Sequence, residues 1–193
     1  MSRALLLSTL VLAALSLASC SRKEPAPREV CPELDAGKPV DPALFAFLSR
    51  ARAAHHTADL HEQDKDLQGA VRALESLLSG PIPSADRPPP EVREVLADTR
   101  ARLADYRSQL GDFDAAARDV GQGLELAREP SYFRGHLFEV RGLIEERRAR
   151  KLRDAGDAPS SEQAKQRALE AFEESMRIQE QVIRDSLPRE ERR

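Results

Sequence analysis

Four histidines and two cysteines are the scarcest reactive side chains in this chain, and their spacing limits the chemistry open to them. His55, His56 and His61 fall in one short stretch with Asp59 and Glu62. On a helix His55 and Asp59 share a face at i, i+4, which puts two ligands on adjacent turns and could begin a metal site. No His-Glu-x-x-His motif or paired-cysteine spacing completes it, so the stretch also reads as the polar edge of a helix near its end. Phosphate chemistry would call for a Gly-rich loop and acyl transfer for a Gly-x-Ser-x-Gly elbow; neither occurs. The carboxylates are scattered, with no pairing that would divide them into an acid and a base. The expectation is a non-enzyme with no catalytic residue, no metal and no cofactor.

Cys20 has a different setting. An apolar run from Ala4 to Ala18 follows Arg3, and Leu17-Ala18-Ser19 leads into the cysteine. The run fits a signal-peptide core of roughly 7–15 residues and falls short of the roughly 20 needed to span a bilayer as a helix. Leu17-Ala18-Ser19-Cys20 resembles the lipobox of bacterial lipoproteins: an aliphatic residue, two small residues and Cys. That resemblance implies diacylglycerol on the Cys20 thiol, cleavage between Ser19 and Cys20, and acylation of the new amine. Several chains on one residue anchor stably because each buried CH₂ contributes about 0.8 kcal/mol. The resemblance places the protein in the bacterial cell envelope, with Ser21 rather than Asp after the cysteine pointing to the outer membrane. An ordinary secretory signal with a chance Cys, or an uncleaved anchor, is the alternative.

Residues 20–41 change character, with Pro25, Pro27, Pro32 and Pro39 among mixed charges and few large apolar side chains. Such a segment cannot bury enough surface to offset its ordering entropy, so it reads as a tether of roughly 25–40 Å. Cys31 lies in it, open to an intermolecular disulfide or merely an incidental thiol.

Beyond the tether the chain is rich in Leu, Ala, Arg and Glu and has no Trp, a composition that favours helices over strands. Apolar residues recur at helical spacing in six stretches, among them Leu44 to Ala58, Leu67 to Leu78 and Val92 to Leu110. Gly80-Pro81, Pro88-Pro89-Pro90, Gly111-Asp112, Glu129-Pro130 and Asp154 to Ser161 punctuate them. The reading is an all-α domain over 42–187 made of three antiparallel helix pairs, followed by a flexible tail at 188–193. Its last helix, from Ser161 to Leu187, is expected to act as a charged, solubilising cap.

Leu110-Gly111-Asp112-Phe113-Asp114-Ala115-Ala116 resembles the turn between the helices of a tetratricopeptide repeat. The second-helix pattern of small, large and small residues follows as Ala116, Val120 and Gly123, is expected again at Ala168, Phe172 and Ser175, and recurs more loosely as Ala70, Leu74 and Leu77. The resemblance implies a short right-handed solenoid whose first helices line a groove for another protein. Ala70 to Ala116 is 46 residues and Ala116 to Ala168 is 52, against a family period of about 34. Aligned on Gly111, the family's usual Trp position holds Arg100 and its Tyr position Arg107, while Arg141-Gly142 offers a counterpart in the third pair. Arg100, Arg107 and Arg141 are therefore the candidate partner contacts, though an arginine stem also covers apolar surface in any fold. Arg147, Arg148, Arg150, Lys151 and Arg153 suit the negative end of a helix or an anionic headgroup.

A net charge of −3 and the export signal argue against nucleic-acid binding. The function expected is a membrane-anchored adaptor or scaffold holding another envelope protein or peptide segment. A metal-binding or small enzymatic protein using His55 to His61, and a purely structural lipoprotein, are the alternatives.

Overall fold

The computed structural model describes residues 41–188. The leader, Cys20, the Pro-rich segment with Cys31, and the tail from Arg189 lie outside the described residues. Six helices and no strand occur among the described residues: α1 (Pro42–Gln63), α2 (Leu67–Leu78), α3 (Pro90–Gln109), α4 (Phe113–Leu126), α5 (Tyr132–Asp154) and α6 (Ala158–Ser186). None of them is long and apolar enough to cross a membrane.

Local chemistry sets the helix starts. Asp41, Asp66, Asp112, Ser131 and Asp157 each accept a hydrogen bond from a backbone N–H two or three residues on, satisfying a group the first turn leaves free. Each such cap contributes roughly 0.5–2 kcal/mol. α3 has no side-chain cap and begins on Pro90, which has no N–H to satisfy.

One turn is built three times. Lys65, Gly111 and Gly156 take the left-handed conformation, with φ of 62°, 84° and 80°. In each case that residue and the aspartate after it donate back to carbonyls of the preceding helix, to Glu62 and His61, Ser108 and Arg107, or Arg153 and Leu152. The carbonyls that a helix end exposes are thereby satisfied, and the same aspartate then caps the next helix. The turns stand 46 and 45 residues apart, which sets the true register of the repeat. Counted from them, the residue equivalent to Ala116 is Ser161, and Ala168 is equivalent to Gly123. The expected match at Ala168, Phe172 and Ser175 is thus displaced by two helical turns. The displacement arises at Pro159, read from sequence as part of a break but accommodated in the first turn of α6, where no intrahelical donor is lost.

α1 packs with α2, α3 with α4 and α5 with α6, while α3 rests on the first pair and α5 on the second. These stacked pairs form the all-α, tetratricopeptide-like arrangement expected. Phe47, Leu77, Val92 and Leu96 fill the first junction at one end, and Leu74, Leu103 and Tyr106 fill it at the other. At the second junction the small Ala97, Ala101 and Ala104 of α3 meet Leu137, Val140 and Ile144 of α5. Small residues on one helix let the large ones of the next approach closely, and each fully buried Leu or Ile contributes about 1.5–3 kcal/mol.

α6 departs from a uniformly polar cap. Its side toward α5 buries Ala164, Ala168, Ala171, Ser175 and Ile178, but Leu169, Met176 and Ile183 are 48%, 59% and 61% exposed. Among the described residues no further pair follows α6 to cover them.

Candidate partner-binding surfaces

The three candidate arginines part company in the structure. Arg100 and Arg107 stand two turns apart on α3, and both guanidiniums converge on Asp119 of α4. Asp119 is only 2% exposed; Arg100 meets one carboxylate oxygen at 2.7 Å, and Arg107 meets the other while also binding Glu75 of α2. A carboxylate removed from water is costly unless paired and hydrogen-bonded, and this one has a cation on each oxygen. Arg100 and Arg107, expected as partner contacts, therefore tie α2, α3 and α4 together, with their charge paired within the fold. Asp119 was missed from sequence, although its place beside Val120 on the apolar side of α4 marks a charge that needs a buried partner.

Arg141 is placed otherwise. It is exposed on α5, and its guanidinium lies 5.2 Å from the centre of the Phe138 ring. Arg134, one turn before Phe138, stands 5.3 Å from the same ring and donates to the carbonyl of Ala127. Phe138 is thus flanked by two guanidiniums, each attracted by the negative face of the ring. The ring forms part of a groove of about 340 Å³ between α4 and α6, floored by α5 and bordered by Ala117, Val120, Arg141, Glu170, Ala171 and Arg167, the last paired with Glu145 at 2.9 Å. It exists because α4 and α6 do not touch; α5 lies between them.

The repeat-packing residues sit as follows. Gly111 forms the left-handed turn, and the Phe113 ring lies under Arg148 and Lys151. Ala116 and Val120 are buried. A Cβ at Gly123 would come within 2.5 Å of Leu137, so only glycine admits α5 there. Ala168 is buried against α5, the Phe172 ring occupies the space beside Gly142, and Ser175 donates to the Gly135 carbonyl at 2.8 Å.

The histidines face different ways. His55 lies 2.8 Å from the Thr99 hydroxyl through Nε2 and 3.5 Å from Asp98 through Nδ1, joining α1 to α3. Thr99 spends its own proton on the Val95 carbonyl, so His55 Nε2 is the donor to it. Burial, aided by Arg102, holds the His55 pKa below its ordinary value against the pull of Asp98 and Asp59. His61 instead meets Asp66 at 3.0 Å in the first turn. Among the described residues no cluster of three His, Cys, Asp or Glu side chains is placed to hold a metal ion.

Further polar ties join successive first helices. Tyr106 donates to Glu62 and accepts from Arg102, which also binds Asp59. Burial and the bond to Glu62 push the Tyr106 pKa up to about 12. Arg147 reaches from α5 to Asp105 and Ser108 of α3. The basic end of α5 is largely paired, Arg148 with Asp114 and Arg150 with Glu146, leaving Lys151 against Phe113.

Compared with known proteins, the chain matches no family model, no curated protein and no solved structure.

Proposed function

We propose that this chain is a lipid-anchored adaptor of the bacterial cell envelope, binding another envelope protein through its stacked helix pairs. The reading of the anchor rests on Leu17-Ala18-Ser19-Cys20, which resembles a lipobox and would place diacylglycerol on Cys20 and the domain at the outer membrane. The binding role rests chiefly on the α4–α6 groove, where an apolar floor lies beside the exposed Arg141 and the doubly flanked Phe138. Apolar floors bordered by a few oriented charges suit a peptide segment, the floor supplying affinity and the arginines register. A segment with an apolar or aromatic side chain beside a carboxylate is the natural complement. The role is binding, not catalysis.

Two measurements test this. Labelling cells with a radioactive fatty acid should mark the parent and not Cys20→Ala; a labelled Cys20→Ala protein would remove the anchor. A photo-crosslinking residue at position 141 should trap one defined envelope protein, and Phe138→Ala should reduce that product at least tenfold. A crosslink pattern unchanged by Phe138→Ala would mean that the groove is not the binding surface.

A further inference from the structure

The exposed stripe on α6 gains meaning from the repeat register. Leu78 of α2, Leu124 of α4 and Leu169 of α6 occupy equivalent positions, 46 and 45 residues apart. Leu78 packs in clusters with Val92, Leu96 and Leu103 of the following first helix, α3; Leu124 packs with Leu137, Val140 and Ile144 of the following first helix, α5. Among the described residues no first helix follows Leu169. On the same side of α6 come Phe172, Met176 and Ile183, at the 3–4-residue spacing that aligns side chains along one helix face. The stripe from Leu169 to Ile183 is about 21 Å long at 1.5 Å per residue, enough for four turns of a docking helix.

Charge distinguishes the possible occupants. By helical phase Glu162, Glu173 and Glu180 edge the stripe on its solvent side with Arg184 further round, Lys165 stands in line with it one turn before Leu169, and Glu139 and Glu146 lie on the face of α5 that a following helix would meet. Glu162 has Lys165 as a partner, Glu139 has His136 and Glu146 has Arg150, while Glu173 and Glu180 form no ion pair among the described residues. Two copies of α6 laid together antiparallel about Met176 would set Glu173 of each against Glu180 of the other, an unfavourable like-charge contact. The opposite end of the stack is a poorer match: α1 exposes Phe45 and Leu60, but Ala46, Ala53 and Thr57 between them are small or polar, so no continuous apolar stripe forms there.

We propose that the open face of α5 and α6 receives an amphipathic helix of another protein, apolar on one side and edged with Lys or Arg, as the first helix of a fourth pair. This rests on the adaptor reading and adds a second docking surface, separate from the α4–α6 groove.

The probe is a synthetic helical peptide of eighteen residues with Leu at the core positions and Lys at the edges, and a twin with Glu at the edges. Binding to the full-length protein, followed by fluorescence anisotropy, should be at least tenfold tighter for the Lys peptide. Met176→Asp with Ile183→Asp should abolish that binding, and Glu173→Lys with Glu180→Lys should reverse the preference. All four positions are exposed, and unchanged circular dichroism checks that the fold persists. Equal binding of the two peptides, or binding indifferent to the α6 substitutions, overturns the proposal. So does a dimer in light scattering that Met176→Asp dissociates, since a second copy would then be the occupant. If the peptide fails while the position-141 crosslink persists, the adaptor reading stands and only the α6 surface is lost.

Discussion

α4 and α6 hold equivalent places in successive pairs, yet they solve the problem of packing on a first helix in opposite ways. α4 spans only Phe113–Leu126 and spends a buried carboxylate, Asp119, on two arginines of α3. α6 spans Ala158–Ser186 and has one half-exposed arginine, Arg167, on Glu145 of α5 in place of a fully buried carboxylate; Ala164, Ala168, Ala171 and Ser175 face α5, where Gly135, Gly142 and Ala149 let the helices close. A middle pair must hold a helix on each side, and directional charge fixes its rotation between them. A terminal pair has one neighbour, so it can rely on length and close approach.

The largest test of this contrast is Asp119→Ala, which leaves Arg100 without its anion and Arg107 with Glu75 alone. Removing one partner of a buried ion pair costs about 3 kcal/mol when the cations retain some access to water, and the urea midpoint should fall accordingly. A loss no greater than that of an exposed control such as Asp114→Ala would show that α4 is held by its apolar face alone. Gly142→Ala strikes the other mode: the new Cβ would lie 2.5 Å from the Phe172 ring, so ring or helix must move. The expected loss is about 1–3 kcal/mol, and an unchanged midpoint would mean that close approach is not what binds α6. Gly121 on α4 is the counterpart, since a Cβ there meets nothing within 4 Å. Gly121→Ala should therefore stabilise by about 0.5–1 kcal/mol through helix propensity, again read from the urea midpoint.

The last test concerns a contact that the terminal pair lacks. His55 joins α1 to the following first helix, and the equivalent position on α5 is Glu146, which faces solvent. Burial holds the His55 pKa below 6.5 in the folded chain, so the unfolded chain binds the proton more readily. Stability should then decline as pH falls below about 6.5 and level off once the folded side chain also protonates. Urea midpoints measured between pH 7.5 and 5.5 should show this decline, and His55→Gln should flatten it. A parent and variant with parallel profiles would place the pH dependence elsewhere.

Helices and their order were legible in the sequence because Pro, Gly and Asp mark the ends chemically and the apolar spacing marks the faces. The repeat register was legible in the first two pairs, where Ala70 and Ala116 stand the same 46 residues apart as the turns at Lys65 and Gly111, even though Lys65 takes by strain the left-handed position that Gly111 and Gly156 take freely. It was hidden in the third pair at Pro159, which stops a helix in its interior but not in its first turn. The groove was half legible. Resemblance to the repeat pattern, aligned on Gly111, singled out Arg100, Arg107 and Arg141 on first helices, but a partner such as Asp119 lies on another helix, and one sequence carries no record of which helix faces meet. The apolar stripe of α6 was visible as Leu169, Phe172, Met176 and Ile183, while its exposure shows only once the six helices are placed against one another.

The thrice-used turn has a mechanical consequence. Each turn reverses the chain, so α1, α3 and α5 run the same way, and Asp41 and the open face of α6 belong to the two outer pairs. A pull applied between Asp41 and a load on α6 crosses both junctions in series, first the His55 and Tyr106 ties, then those of Arg147. The tension the whole molecule can carry is set by the weaker of those two junctions, however stable the pairs themselves are.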